Sequence, residues 1–403
     1  MPTLDGYKSF WIKVFGESIG TRPVWAEVSL DHLAHNMRET RRITPSSTML
    51  MAAVKADGYG HGVEMCARTF LDNGADRLAV AMPDEGFQLR EMGIDAPILC
   101  LGYTPDYLYE RAINEEVSVT IYHESQVQGL VEAARAAEKE AVFHAKIDTG
   151  MGRLGFQPSK ESIDVIVKAA QIEGLYLEGV FTHFAVSDEA DKGYSHGQYE
   201  RYMNTVDSIE EHVEVPLKHV NNSAGIIDLP EYSLDMARPG IILYGYYPSP
   251  HVDTGRLELR QAMTLKARIS HMKWVPKGTG LSYGLTYETE KESVIATIPV
   301  GYADGYKRAL TNKGYVGIGG VKASIVGRVC MDQCMLDVTH IKDARIGDEV
   351  TLMGMPGGAA PDGEEMAKLL DTITHEVTCQ ITRRVPRVYT RNGKKIAVKN
   401  YLT

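Results

Sequence analysis

The chain of 403 residues contains no run of 18 consecutive apolar residues, so the sequence predicts no transmembrane helix. It also lacks an excess of basic residues, because 43 Lys and Arg stand against 53 Asp and Glu for a formal charge of −10. A nucleic-acid partner requires a basic surface, and this balance argues against such a partner. No basic segment followed by an apolar one opens the chain, so we expect no secretory signal.

Cysteine is scarce, and its spacing argues against two roles. The five cysteines are an odd number scattered along a long chain, which is typical of reduced thiols in the cytoplasm and not of a disulfide framework. Cys330 and Cys334 are separated by three residues, no second cysteine pair follows, and no His-Glu-x-x-His segment occurs. The sequence therefore predicts a cytoplasmic protein without a zinc site.

What the chain does contain is a regular alternation of apolar runs and helical patterns. Residues 1–22 show weak periodicity and are interpreted as an N-terminal arm. Over residues 23–250, short apolar runs, from 24–28 to 241–244, alternate about eight times with helical periodicity. This alternation predicts an α/β fold of the (β/α)₈ TIM-barrel type, although a doubly wound open sheet produces a similar pattern.

The pattern changes after residue 250. Residues 251–403 contain strand-like runs separated by turns rich in glycine and proline, with one late helix near residues 364–370. We predict a mainly-β C-terminal domain, and hence two domains preceded by an arm.

A lysine ends the first fully apolar run, in the segment VKADGYGHG at residues 54–62. In a barrel, catalytic groups lie where strands run into the loops that lead to helices. Apolar surroundings disfavour the charged form of an amine, which would make Lys55 suitable for Schiff-base chemistry. Taken alone, the segment is better explained by a structural lysine followed by a glycine turn.

The segment KIDTGMGRLG at residues 146–155 contains Gly-x-Gly-x-x-Gly, the pattern typical of dinucleotide binding. The match is weak, because Pro158 delays any following helix and the expected acidic residue would be Glu173, close to the next loop. We favour a turn from which Arg153 points at an anion or a phenolate.

Further polar residues follow later strands. His183 ends one apolar run, and the segments NNSAG at 221–225 and RPGI at 238–241 follow the last two predicted barrel strands. Barrel enzymes frequently bind phosphate at these last strands, although an ordinary turn explains each segment by itself. In the β domain, Tyr283 and Tyr302 lie beside glycines, where packing is the simplest interpretation.

Together these segments resemble the alanine racemases, pyridoxal-phosphate enzymes built from a barrel and a β domain. The resemblance runs from about residue 23 to the C-terminus. It depends on nine motifs in order: VKADGYGHG, KIDTGMGRLGF, EGVFTHFA, NNSAG, MARPGIILYG, GLSYGLTY, IPVGYADGYKR, GRVCMDQCM and RRVPRVY.

The resemblance implies roles for individual residues. Lys55 would hold pyridoxal 5'-phosphate as an imine and act as one base, while Tyr283, from the β domain of a partner subunit, would be the opposite base. Arg153 would contact the cofactor phenolate and the substrate carboxylate. Tyr302 and Met331 would line the substrate side, and Asp332 would support these two residues. The cofactor contacts implied by the matching motif positions are Lys55, Tyr59, Arg153, His183, Ser223, Arg238, Gly240, Ile241 and Tyr302.

The resemblance also implies the reaction and the assembly. We expect interconversion of L- and D-alanine by two-base proton transfer in a homodimer with shared active sites, supplying D-alanine for cell-wall peptidoglycan. Two bases are needed because inversion removes the proton from one face and returns it to the other. Arg238 would face the pyridine nitrogen with His183 behind it, and Lys146 matches a position that is carbamylated in some members.

One departure from the family bears on specificity. Where several relatives carry a tyrosine that narrows the substrate pocket, this chain has Arg383. Serine or a somewhat larger amino acid therefore remains an alternative substrate.

Two other classes compete with the racemase. A decarboxylase on the same scaffold would be expected to show Cys-x-Ser-x-Asp and an acidic partner for the pyridine nitrogen. The chain has Cys330-Met-Asp and Arg238 instead, which argues against it. A non-catalytic pyridoxal-phosphate carrier would be a barrel alone, and the β domain with Tyr283 argues against that.

Overall fold

The computed structural model describes residues 22–402 and divides into two compact units. Within the described residues, the barrel unit comprises 32–59 and 63–260, and the β unit comprises 22–31, 60–62 and 261–402. Except for its last residue, Arg22, the predicted N-terminal arm lies outside the described residues.

The chain begins with strand β1 (Val24–Ser29), which is followed directly by helix α1 (Leu30–Ile43). Eight parallel strands then form the sheet of the barrel unit. They are β2 (Met49–Ala53), β3 (Arg77–Val80), β4 (Ile98–Cys100), β5 (Val117–Ile121), β6 (Ala141–Lys146), β7 (Leu175–Phe181), β8 (Leu217–His219) and β9 (Met236–Ala237).

The order of these strands is β8-β7-β6-β5-β4-β3-β2-β9, so the strands at the two ends of the sheet are β8 and β9. Just beyond these two strands, the backbone N–H of Arg238 donates to the carbonyl of Asn221 at 2.9 Å and brings the ends together. The result is a nearly closed parallel barrel, which confirms the predicted fold class. Part of its apolar core comes from five different strands, through Met51, Ala79, Leu99, Leu217 and Met236.

Helices connect most of the barrel strands. They are α2 (Val63–Leu71), α3 (Pro83–Glu91), α4 (Tyr109–Asn114), α5 (Ser125–Ala137), α6 (Lys160–Ala170), α7 (Gly193–Glu210) and α8 (Ser223–Asp228). Short 3₁₀ turns lie at Asp106–Leu108, Pro230–Tyr232, Ile241–Tyr244 and Thr254–Arg256. In the part of the chain that the structure describes, no helix is long and apolar enough to cross a membrane.

Two predicted barrel strands differ from the structure. The run at 24–28 forms β1, but it pairs with strands of the β unit and not with the barrel. The run at 241–244 is a 3₁₀ turn, and the eighth barrel strand is the two-residue β9 before it. Apolar runs indicate burial, but they do not specify a pairing partner, and β9 is too short to show periodicity.

The strands of the β unit after β1 are β10 (Met263–Arg268), β11 (His271–Val275), β12 (Gly280–Leu281), β13 (Tyr287–Glu288), β14 (Ser293–Ile298), β15 (Tyr315–Ile318), β16 (Val321–Ile325), β17 (Cys334–Asp337), β18 (Glu349–Met353), β19 (Arg387–Arg391) and β20 (Lys394–Lys399). With β1, they form one ten-stranded sheet with the order β11-β14-β17-β16-β15-β18-β10-β1-β19-β20 and a small ribbon of β12 and β13. The mainly-β character is as predicted.

Two helices complete the β unit, α9 (Gly363–Leu370) and α10 (Thr374–Cys379). The predicted late helix corresponds to α9, which begins at an N-cap, Asp362, whose carboxylate accepts from the N–H groups of Glu364 and Glu365 at 2.9 Å. The five cysteines are free thiols. The cytoplasmic location expected from their number stays a prediction.

Candidate active site

Lys55 lies at the carboxyl end of barrel strand β2 and opens an unusual turn. Ala56, Asp57, Gly58 and Tyr59 all adopt left-handed backbone angles, with φ between 50° and 60°. Such angles cost a non-glycine residue roughly 1–3 kcal/mol each, so they persist only where the surroundings impose them. Here Glu85 accepts from the N–H of Ala56 at 2.6 Å, and Asp57 accepts from that of Val63 at 2.9 Å. The turn thus fixes the backbone on which Lys55 is mounted.

Hydroxyl groups converge at the other end of this turn. The ring of Tyr59 stacks on Tyr244 with centroids 4.7 Å apart. A side chain at Gly240 would begin 2.8 Å from the Tyr59 hydroxyl, and the N–H of Gly240 donates to Ser223 Oγ at 2.9 Å. Ile241 opens a 3₁₀ turn, where the first N–H groups lack intrahelical partners. These groups form a cradle suited to a phosphate.

Four cationic side chains act electrostatically on the partly buried ring of His183. Burial lowers the pKa of His183 well below its usual value, and the charges of Arg238, Arg153, Lys146 and Lys55 lower it further. His183 is therefore neutral at physiological pH. The ring lies in the same cluster as the two lysines and two arginines that the sequence singled out.

Lys146, the last residue of β6, is almost fully buried in this cluster. Burial lowers its pKa to about 8, and the nearby charges of Arg153 and Arg238 act in the same direction. About a tenth of the amine is therefore neutral at pH 7, far more than for an ordinary lysine.

The glycine-rich segment after β6 folds back on its own strand and does not open a helix. Phe156 donates to the carbonyl of Lys146 at 2.8 Å, and Asp148 accepts from the N–H groups of Gly150 and Gly152 at 3.0 Å each. A side chain at Gly155 would begin 2.3 Å from the backbone nitrogen of Asp148. The glycines allow this tight loop, and the loop presents Arg153 at the surface. The interpretation of the segment as a dinucleotide-binding motif is therefore wrong.

The guanidinium of Arg238 is buried and nearly saturated. Its Nη1 donates to Nδ1 and to the carbonyl of His219 at 2.8 and 2.9 Å, and its Nη2 donates to the carbonyls of Thr182 and Val220 at 2.7 and 2.9 Å. Burial lowers its pKa to about 10, which leaves it charged at neutral pH. Since a guanidinium has five N–H groups, the Nε–H is the donor of Arg238 without an acceptor among residues 22–402.

The histidine that hydrogen-bonds to Arg238 is His219, through its Nδ1. The place of His183 behind Arg238 stays a prediction, and the charge of Arg238 acts on the His183 ring. The sequence did carry a signal, because His219 lies two residues before the NNSAG segment at 221–225, and the structure shows that it is fully buried at the end of strand β8. Such residues are rarely left in a barrel interior without a partner.

In the β unit, Tyr283 lies at the tip of the ribbon formed by β12 and β13, where Leu281 pairs with Tyr287. The loop requires positive φ at Ser282 and Gly284, and a side chain at Gly284 would begin 3.1 Å from the Arg328 guanidinium. Tyr283 is 71% exposed. The ribbon therefore presents a phenol at the surface on a constrained backbone.

Tyr302 and Met331 are brought together by their backbones. The N–H of Tyr302 donates to the carbonyl of Cys330, and that of Ala303 donates to the carbonyl of Met331, both at 3.0 Å. A side chain at Gly301 would begin 2.2–2.4 Å from these carbonyls, so only glycine permits the approach. The two predicted residues thus form one exposed pair.

Arg384, to which the sequence analysis gave no role, binds Asp332, the residue after Met331. Arg384 donates to Asp332 at 2.7 Å, and its Nε lies 3.6 Å from the buried carboxylate of Asp304, which also binds Arg22. The neighbouring Arg383 is exposed, and its guanidinium lies 5.9 Å from the ring centre of Tyr401.

A nearly closed parallel barrel with a lysine, a phosphate cradle and a buried arginine at its mouth, followed by a mainly-β domain, defines a class of two-domain enzymes. Comparison with known proteins identifies the family. The family model described as the alanine racemase N-terminal domain matches residues 28–248, and that of the C-terminal domain matches residues 262–389.

Individual relatives agree. The alanine racemase of Clostridium tetani is 48% identical over 383 residues, which cover 94% of this chain and 99% of that protein. The solved alanine racemase of Clostridium difficile 630 is 43% identical, with a TM-score of 0.92 over 95% of this chain and 100% of that one. The alanine racemase of Bacillus anthracis, solved with bound L-Ala-P, is 35% identical, with a TM-score of 0.90 over 95% and 98% of the two chains. The chain belongs to the alanine racemase family.

Proposed function

We propose that this chain is an isomerase that interconverts L- and D-alanine with pyridoxal 5'-phosphate as cofactor. The observation that carries the proposal is the arrangement at the mouth of the barrel, where Lys55, the hydroxyl cradle and Arg238 occur in a chain whose relatives are alanine racemases. Serine racemisation and decarboxylation are not favoured, because the relatives at 43–48% identity carry the name alanine racemase. Chiral chromatography of alanine incubated with the protein tests the proposal.

The residues present fit pyridoxal phosphate. The hydroxyls of Tyr59 and Ser223 and the start of the 3₁₀ turn at Ile241 would hold its phosphate, and Gly240 leaves the space that a Cβ would fill. The Nε–H of Arg238 would face the pyridine nitrogen. When bound, the cofactor withdraws electrons from the α-carbon of the amino acid and makes its α-proton removable.

The chain's own residues would move that proton. The amine of Lys55 would remove or return it on one face, and the phenol of Tyr283 would do so on the other. Arg153 would bind the substrate carboxylate, while Tyr302 and Met331 would bound the pocket, with Asp332 held behind them by Arg384. Arg238 stays charged and donates a hydrogen bond, but a guanidinium does not release its proton to a pyridine nitrogen. Such an arrangement favours return of the proton to the α-carbon.

Lys146 is proposed to carry a carbamate. Its pKa of about 8 makes the neutral amine available to carbon dioxide, and the modification would replace a cation by an anion beside Arg153 and Arg238. We expect ¹³C-bicarbonate to give a carbamate resonance in the full-length protein that is absent from Lys146→Met. The exposed Lys160 is the matched control, since Lys160→Met should keep the resonance. A carbamate signal that survives in Lys146→Met would contradict the assignment.

A homodimer with shared sites is also proposed. The β unit exposes two of its proposed site residues, Tyr283 at 71% and Met331 at 52%, and the nearby Leu285 at 68%. The barrel unit exposes Tyr103 and Tyr107, on the loop after β4, at 58% and 82%. Exposed apolar patches of this kind mark interaction surfaces. In the proposed dimer, each β unit supplies Tyr283 to the barrel of its partner.

Mixing two inactive variants tests this sharing. After subunit exchange between Lys55→Ala and Tyr283→Phe chains, half of the dimers are mixed and each mixed dimer holds one intact site, so about a quarter of the wild-type rate should return. Mixing Lys55→Ala with Lys55→Met controls for exchange alone and should return none. If verified exchange restores no activity in the first mixture, the sites are not shared.

A further inference from the structure

A line of polar side chains runs from Arg238 through the barrel wall. His219 Nδ1 accepts from Arg238 Nη1 at 2.8 Å, and His219 Nε2 lies 2.9 Å from His144 Nδ1. His144 Nε2 lies 2.9 Å from one carboxylate oxygen of Glu178, and the other oxygen lies 2.8 Å from Arg77. Four barrel strands contribute, β3, β6, β7 and β8, with Arg238 directly after β9.

The donors at one end of this line determine its direction. A guanidinium only donates, so Nδ1 of His219 must be unprotonated and its single proton must lie on Nε2. That proton is donated to Nδ1 of His144, which places the single proton of His144 on Nε2 as well. The carboxylate of Glu178 then accepts it. The geometry therefore assigns both histidines as neutral rings in the Nε2–H form.

The surroundings maintain this state. Both histidine rings are fully buried, and burial lowers the pKa of each. For Glu178, burial raises the pKa, but the hydrogen bonds from His144 and Arg77 outweigh it and bring the pKa to about 2. The ring of Phe181 stacks on His219 with centroids 4.8 Å apart and fixes its plane. Glu178 is thus an anion at neutral pH, and both histidine rings are uncharged.

We propose that Glu178, oriented by Arg77, is a positioning residue for Arg238, acting by setting the tautomers of His144 and His219. Its carboxylate holds the proton of His144 on Nε2. As a consequence, Nδ1 of His219 is unprotonated where it faces the guanidinium of Arg238. The Nε–H of Arg238 then keeps one fixed direction toward the mouth of the barrel. The catalytic part of this inference rests on the proposed function, since there the Nε–H meets the pyridine nitrogen.

Glu178→Gln keeps the size and shape of the side chain but should reverse the direction of hydrogen-bond donation along the line. An amide has one oxygen, and the cation of Arg77 attracts that oxygen, so the NH₂ group turns toward His144. His144 Nε2 must then accept, its proton moves to Nδ1, and His219 is forced to place a proton against Arg238. We expect the guanidinium to lose its fixed position as a result.

Solid-state nitrogen NMR of the full chain with ¹⁵N-labelled histidine tests the tautomers with or without cofactor. Among the 13 histidines, the pair is identified by a coupling through the hydrogen bond between Nε2 of one ring and Nδ1 of the other. The wild type should show both rings neutral with Nε2 protonated. Glu178→Gln should lose this form in at least one ring, whereas Asp164→Asn, which removes an exposed carboxylate on α6, should keep it.

The kinetic arm uses the same chains. Glu178→Gln should lower kcat about 10- to 100-fold, by analogy with residues that orient metal ligands through a hydrogen bond, with KM nearly unchanged. In the NMR measurement, a charged ring or an Nδ1–H tautomer in the wild type overturns the proposal. This result does not depend on the folding of any variant. Unchanged tautomers in a folded Glu178→Gln, or altered tautomers with wild-type kcat, also overturn it. Because the spectra do not depend on turnover, a failed racemase assay with the expected tautomers counts only against the proposed function.

Discussion

Lys55→Ala is expected to abolish racemisation, with a loss of at least about 10⁴-fold, because the substitution removes both the covalent anchor of the cofactor and one of the two bases. The turn after Lys55 is fixed by Glu85 and Asp57, and neither contact involves the lysine side chain. The variant should therefore fold and still bind phosphate in the cradle, but it should lose the visible absorbance of a covalently held cofactor.

Borohydride reduction of the wild-type holoenzyme, followed by peptide mapping, identifies the anchor. The label should lie on Lys55 and not on Lys146, which also ends a barrel strand and is the internal control. A label on Lys146 or on any other lysine would remove the basis of the assigned chemistry.

Tyr283→Phe should lower the rate by roughly 10²–10⁴-fold, the usual contribution of a positioned acid or base. The substitution keeps the ring and removes only the hydroxyl, and the side chain is exposed at the tip of the ribbon, so stability should change little. Because the two enantiomers have equal free energies, the racemisation rates in the two directions must fall together, but exchange of the α-proton should not fall equally for the two enantiomers. If the phenol acts on the face from which the L-enantiomer loses its proton, removal of the α-proton from L-alanine should fall more than removal from D-alanine.

Exchange of the α-proton with deuterated water measures removal of that proton from each enantiomer separately. Tyr287→Phe is the matched control, because Tyr287 lies on the same ribbon opposite Leu281 and has no proposed part in proton transfer. Equal losses for both enantiomers, or a wild-type rate in Tyr283→Phe, would assign the second base elsewhere.

The sequence predicted the architecture of the barrel better than its boundaries. Fully apolar runs such as 49–53 identify strands buried on both faces, and their regular spacing favours a barrel. The pairing of β1 with β10 and β19 could not be read from the chain, because β1 is as apolar as a barrel strand and its partners lie far away in sequence. The last barrel strand has two residues, too few for any pattern.

For the candidate site, motifs located the residues that end strands, and they missed those that act within strands. Lys146 and Ser223 are followed within four residues by a glycine, Gly150 and Gly225, and such glycines are visible in a sequence. His144 and Glu178 interrupt apolar strands, and their meaning appears only when neighbouring strands bring them within 2.9 Å. The link from Arg384 to Asp332 likewise joins residues 52 positions apart.

The central claim is tested most directly by incubating the purified protein and pyridoxal phosphate with pure L-alanine, and separately with pure D-alanine, and by following both enantiomers by chiral chromatography. Each reaction should proceed to equal amounts of L- and D-alanine with no loss of total alanine, and Lys55→Ala should leave each enantiomer unchanged. Persistence of the starting enantiomer with the wild-type holoenzyme, or conversion of alanine to an amine or a keto acid in place of its mirror image, would contradict a two-base alanine racemase.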